Sequence, residues 1–313
     1  LVSTLFVYST STVCNVKENG AIGDGVTLDD DSFSKTFAAC PDIGDVVFVP
    51  SGTYLLSPFN LTSNTALYLD HESTLLATID FDIWQNTNVV EPLPSYEGGL
   101  RMGPFIGGND IENVTIYGYG TIDGQGAAWW NADSLPYGRG RLIEPMYCSN
   151  FSMIGITVQN PPFWGVHPYA CDNVLIENVT FYAPVDSPNT DGIDPDSCSN
   201  VIIRNLTASC GDDAIAIKSG RDALGRAFGR PSRDILIEGG HMGRSRGINI
   251  GSEMSGDIYN ILVRNVMFTN AEFATRIKTA RGRGGHVYNI TYENLVFEGN
   301  EIMVRIQLHY HGM

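Results

Sequence analysis

Apolar and polar residues alternate along most of the chain in short runs, and asparagine or aspartate introduces each run. Seven runs share this form: IENVTIYGYGTIDG from residue 111, SNFSMIGITVQN from 149, DNVLIENVTFY from 172, SNVIIRNLTAS from 199, RDILIEGG from 233, YNILVRNVMFTN from 259 and YNITYENLVFEG from 288. Period-two alternation rich in β-branched residues and bounded by turn formers predicts half-buried strands. The turn residues Asn113, Asn150, Asn173, Asn200, Asp234, Asn260 and Asn289 recur at intervals of 37, 23, 27, 34, 26 and 29 residues. Uneven steps of that size fit coils whose loops vary while their strands stay in register. Neither the hairpin turns of a sandwich nor the evenly spaced blades of a propeller is visible. The expected fold class is therefore all-β, a single-stranded parallel β-helix. The one stretch with fair helical periodicity is 31–40, DSFSKTFAAC.

Composition narrows the class. With 43% apolar and 17% charged residues in 313, the chain is a packed one, and it has no apolar run long enough to span a membrane. A net charge of −16 argues against nucleic acid or anionic lipid as partner. The basic residues are concentrated: 218–283 hold twelve of the nineteen, against six acids, which suggests a site for an anionic ligand in an acidic body. Residues 1–14 read as a signal-peptide remnant or a cap ahead of one β-helix unit at 15–313. Six cysteines without metal-site spacing suggest disulfides, with Cys198 and Cys210 a plausible pair bracketing one strand unit. Six Asn-x-Ser/Thr triplets, at Asn60, Asn113, Asn150, Asn178, Asn205 and Asn289, read equally as glycosylation acceptors or as turns leading into strands.

Candidate chemistry sits in two acidic knots, Asp191/Asp194/Asp196 and Asp212/Asp213. From Asp191 to Asp212 is 21 residues, close to one coil, and equivalent positions on adjacent coils stack ~4.8 Å apart. Carboxylates held that close cannot all ionise independently, which is what acid–base work requires. Calcium binding is the competing reading of such a cluster. Asp194-Pro195-Asp196 reads as a turn, without a catalytic role.

These features resemble the polygalacturonase family of pectin hydrolases, glycoside hydrolase family 28. The motifs at Val16–Thr27, Val49–Tyr54 and Gly120–Gly126 are similar to the family's and bear on fold. More specific are Asn189-Thr190-Asp191, Gly211-Asp212-Asp213 and Arg276-Ile277-Lys278, in the family's order. The resemblance implies a right-handed, pectin-lyase-like β-helix. It also implies an inverting hydrolase of α-1,4-galacturonosyl linkages, secreted, monomeric, acting on polygalacturonate or a related pectic polysaccharide without metal or cofactor. Asp212 would be the general acid, and Asp191 and Asp213 would hold and deprotonate the attacking water. Arg276 and Lys278 would bind the galacturonate carboxylate, and Asn189 would help order that subsite. Being two apart on a strand, Arg276 and Lys278 should share a face.

Arg246 stands where the family usually carries histidine. His241, five residues earlier, is the alternative candidate for that role, and the firm register before Gly247 favours absence of the histidine. Branches with Gly229-Arg230-Pro231-Ser232 and Gly-Ser-Glu-x-Ser-Gly (251–256) are similar and point to exo action. Rhamnogalacturonan or xylogalacturonan hydrolysis is the close alternative, and a non-catalytic carbohydrate-binding stack the more distant one. The family has further coils and a closing cap beyond residue 313, so the sequence reads as part of a longer product.

Overall fold

The computed structural model describes residues 11–131 and 135–310. Residues 1–10, most of the expected leader or cap, lie outside the described residues. Parallel pairing organises nearly all of the rest. One ten-stranded sheet runs from Val13–Asn15 to Val287–Glu293, and a second from Asp24–Leu28 to Val296–Glu298. A third face runs from Phe59–Asn60 to Ile302–Gln307, its three- and four-stranded parts joined by single bridges at Val166 and Ile193. The chain visits the three faces in turn and then steps to the next coil, which is the right-handed parallel β-helix.

Register follows the repeat read from the sequence. Val114, Phe151, Val174, Val201, Ile235, Ile261 and Ile290 pair in succession, each one residue after its turn Asn or Asp. Two positions on, Val47, Leu67, Ile116, Met153, Ile176, Ile203, Ile237 and Val263 stack into an interior ladder, none more than 2% exposed. Each buried aliphatic contributes about 1.5–3 kcal/mol relative to exposure, and each finds its like on the next coil, so variable loops do not disturb the stack.

The turn residues explain their own recurrence. Asn113, Asn150, Asn173, Asn200, Asp234, Asn260 and Asn289 all hold φ between 53° and 60°, a left-handed conformation that Asn and Asp tolerate. Their side chains form a second ladder: Asn150 donates to Asn113 at 3.0 Å, Asn173 to Asn150 at 3.2 Å, and Asn289 to Asn260 at 2.7 Å. Asn205 makes the same bond to Asn178 on the following corner, at 3.1 Å. In the Asn113, Asn150, Asn205 and Asn289 triplets the amide nitrogen is therefore already engaged within the stack.

Two expectations need correction. The helix at 31–40 is present as Asp30–Ala39, but Phe81–Thr87, Ala127–Trp130 and Asp222–Phe228 are also helical. They are loop excursions too short for a periodic signal; Trp84 and Trp129 anchor two of them, with ring centroids 4.9 Å apart. Cys198 is not joined to Cys210; the disulfide among the described residues is Cys14–Cys40. Cys198 precedes the first-sheet strand Ser199–Arg204 and Cys210 follows the second-sheet strand Thr207–Ser209, so two strands and a corner separate them. Cys198 instead stacks beneath Cys171, whose N–H donates to its Sγ at 3.4 Å.

Candidate active site

The third face brings the acids together. Ile193 bridges Ile215 on the next coil, a step of 22 residues (215 − 193), so Asp191 stands level with Asp213. The interval counted in the sequence had aligned it with Asp212. Asp212 and Asp213 are consecutive, and their side chains diverge: Asp213 is fully buried while Asp212 keeps an edge in solvent. Carboxylate oxygens of Asp191, Asp212 and Asp213 nevertheless lie within 4.8 Å of one another.

Asp213 is caged. Its Oδ1 accepts from Asn249 Nδ2 at 2.5 Å and Arg276 Nη2 at 3.2 Å, and its Oδ2 accepts from Lys278 Nζ at 2.5 Å. Arg276 and Lys278 do share a face of their strand, Phe273–Lys278, and both are buried. Phe273 and Tyr310 flank the Arg276 guanidinium, with centroids at 4.2 and 5.8 Å. Charge-assisted bonds of this kind hold Asp213 and both cations in one geometry.

Asp191 and Asp212 are less constrained. Asp191 Oδ1 has no hydrogen-bond partner, and its Oδ2 faces Lys218 Nζ at 3.7 Å. Burial, with Asp194 and Asp212 nearby, pushes its carboxyl well above the usual range. Asp212 is raised by burial and by Asp213, and pulled back by Arg246, whose Nη1 donates to its Oδ2 at 2.8 Å. Arg246 Nε also reaches Glu272 at 3.3 Å, beside a small cleft lined by Gly211, Arg244 and Glu301. His241 is elsewhere. It lies in the second sheet, where its Nε2 meets Thr269 Oγ1 at 2.6 Å.

Asn189 holds φ 55° and accepts from Arg139 Nη2 at 2.8 Å, so its bond is to Arg139 and not to Arg276 or Lys278.

The turn reading of Asp194 and Asp196 is overturned, because both side chains are fully buried on the third face. Asp196 bridges Lys218 by backbone, and its carboxylate accepts from Tyr96 Oη at 2.5 Å with His167 Nε2 at 3.3 Å. Neither oxygen of Asp194 has a hydrogen-bond partner; Lys218 Nζ stands 4.0 Å away. Proline beside two aspartates suggested a solvent turn, and only the coil register turns them inward.

Lys218 and Trp164 were not singled out from the sequence, and Asn249 and Glu253 stood there only within a motif around 247–256, with no role given to either. Lys218 Nζ lies 3.6 Å from Glu253 and 4.2 Å from the centre of the Trp164 ring. Burial would lower this ammonium, but Asp194, Glu253 and Asp191 hold it well above its usual range.

Asp194 yields a stability prediction. Burial pushes its carboxyl from an ordinary 3.8 up to about 7, against the pull of Lys218. A raised folded pKa stabilises fully below the unfolded value and is lost as pH rises through the folded one. Asp194→Asn should therefore gain stability over the parent at about pH 8 and little at about pH 4. Urea midpoints at the two pH values measure this, and an equal shift at both would contradict it.

Three clustered carboxylates could ligate a cation, but Lys278, Arg276 and Lys218 already face these oxygens and a dication would have to displace them.

A third face that carries acids and cations on successive coils places the protein among the pectin-lyase-like β-helices. Within that class the chain belongs to the glycosyl hydrolases family 28, which it matches over residues 40–313. It is 40% identical over 286 residues to a probable polygalacturonase of Vitis vinifera, covering 85% of this chain and 57% of that one. An exopolygalacturonase of Thermotoga maritima superimposes with a TM-score of 0.85 at 30% identity, over 97% of this chain and 77% of that one. The polygalacturonase of Erwinia carotovora gives 0.82 at 26% identity, over 99% and 83%. The chain spans less than two thirds of the length of plant relatives such as the Vitis protein and an exopolygalacturonase of Zea mays.

Proposed function

We propose that the protein hydrolyses α-1,4-galacturonosyl linkages of a pectic polysaccharide, by inversion and with a preference for chain ends. The observation that carries this is the division of three adjacent acids by environment. Asp212 combines a raised carboxyl with an open edge, the combination a proton donor to the glycosidic oxygen needs. Asp191 has an oxygen without a hydrogen-bond partner, able to accept from a water, and carboxylate oxygens of Asp191 and Asp213 lie within 4.8 Å of each other. Arg276 and Lys278 supply the positive wall for a uronate carboxylate. Likeness to the Thermotoga exopolygalacturonase supports the exo preference.

The acids stand about one coil spacing apart. An inverting pair stands ~6.5–9.5 Å apart, against nearest oxygens within 4.8 Å here. The enclosure of Asp213 argues for a water route all the same: both its oxygens are bound and its side chain is buried, so it cannot approach an anomeric carbon as nucleophile. Residues 15–313 would form one catalytic unit, monomeric. Secretion is supported by the Cys14–Cys40 disulfide. No helix among the described residues is long and apolar enough to cross a membrane.

Reducing-end release from polygalacturonate, with chromatography of the products and proton NMR of the first anomer formed, tests the reading. Saturated monogalacturonate of inverted configuration supports it; unsaturated products absorbing in the ultraviolet, or a retained anomer, overturn it.

Arg246 gives a further expected result. Its guanidinium lowers the Asp212 carboxyl, so Arg246→Ala should let that pKa rise and move the alkaline limb of the pH–rate profile upward. An unmoved limb would remove Arg246 from the control of Asp212.

A further inference from the structure

We infer that Arg139 binds a second uronate carboxylate, on the opposite side of the acids from Arg276 and Lys278, so that the two sugars joined by the scissile bond are each held by their charge. This rests on the hydrolase reading above and specifies its substrate contacts.

Arg139 is half-buried, and no carboxylate pairs with it among the described residues, unlike Arg101, Arg141, Arg246 and Arg276. Its Nη1 donates to two backbone carbonyls, Pro162 O at 3.1 Å and Pro188 O at 2.6 Å, and its Nη2 to Asn189 Oδ1 at 2.8 Å. A guanidinium has five N–H donors, so the Nε hydrogen and one on Nη2 remain. Those two lie along one edge of the fork, the edge that takes a carboxylate bidentately. Phe163 stacks against the guanidinium at 4.9 Å and fixes its plane. Neutral oxygens hold the group in place without neutralising it; burial lowers it, and the Asp191 carboxylate, outside ion-pair distance, offsets that only in part.

Its position matches the role. Pro188 and Asn189 immediately precede the strand segment that delivers Asp191, and the carbonyl of Asp191 accepts from Gly165 N–H at 2.8 Å, two residues beyond Phe163. Arg276 and Lys278 approach the same acids from two coils further on, through Asp213. A polymer crossing Asp191 and Asp212 thus meets a cation before and after the acids. In a galacturonan every residue carries a carboxylate, whereas a methyl-esterified residue does not. Asn189 becomes a positioning residue for Arg139, through the bond its side-chain oxygen accepts from that guanidinium.

Binding to a catalytically silent protein separates this proposal from the reading beneath it. In an Asp212→Asn background, trigalacturonate and its fully methyl-esterified form are titrated by calorimetry, with and without Arg139→Gln. The expected result is a loss of roughly tenfold or more in trigalacturonate affinity on Arg139→Gln, with the ester unaffected and Arg139→Lys intermediate. Unchanged trigalacturonate affinity overturns the proposal and leaves the hydrolase reading standing. An equal loss for both ligands also overturns it, because Arg139 then only braces the Pro162 and Pro188 loops. If the Asp212→Asn protein binds neither oligomer, the proposal falls together with the hydrolase reading.

Discussion

Asp212→Asn is expected to lower turnover on polygalacturonate by ~10²–10⁴-fold while leaving the fold intact, the range over which a positioned general acid contributes. The substitution is nearly isosteric, at a side chain that keeps a solvent edge and accepts from Arg246 Nη1 and the N–H of Asp213. The amide oxygen can keep one of these bonds and its NH2 must face the other donor, a local cost at a part-exposed side chain that should leave the fold and most of the substrate affinity in place. What is lost is the proton. Near-neutral loss of kcat with KM held is the signature; retained turnover would move the acid role to Asp191, the other member of the three-acid cluster raised by burial. A leaving group that needs no protonation sharpens the test, since an activated aryl galacturonide should be spared much of the defect.

Asp213→Ala is expected to act mainly on stability, by about 3–5 kcal/mol, the usual effect of removing one partner from a buried ion pair. Asp213 is the shared anion of Arg276 and Lys278, all three almost without solvent contact. Deleting it removes the one carboxylate within ion-pair distance of either cation among the described residues, and leaves beside them the Asn249 side-chain oxygen, at 3.3 Å from Arg276 Nε, and the Phe273 and Tyr310 rings. The Lys278→Met change in the same background removes one stranded charge and should return part of the loss, a coupling that urea denaturation of the two single variants and the double variant would show. Additive losses would mean that water or anions compensate these cations already. The contrast between neighbours is informative: Asp212 keeps a solvent edge, while Asp213 is buried among the cations it holds.

Much of the fold was legible in the order of residues. Each asparagine before an apolar run marks a corner with positive φ, and each alternating run after it marks a first-sheet strand. The intervals between corners equal the register steps because turn and strand are both local. The helices 81–87, 127–130 and 222–228 were missed because a helix of one or two turns leaves no periodic trace.

The site divides in the same way. Asp191, Asp212, Asp213, Arg276 and Lys278 were named from motifs, and the structure gathers them around Asp213. Asp194 and Asp196 were misassigned because a Pro flanked by aspartates is indistinguishable in sequence from a surface turn. Cys198 and Cys210 were paired for proximity along the chain, which means little across a corner.

By itself, then, the sequence determined the coil: its turns, its strand periodicity and the types of group the third face carries. Those are set by interactions within a few residues. Only the tertiary structure decided which acid faces which, that Asp213 is the counter-ion of Arg276 and Lys278, and that Arg139 has no carboxylate within ion-pair distance among the described residues. Each depends on the stagger between coils, and a shift of one residue exchanges Asp212 for Asp213 opposite Asp191.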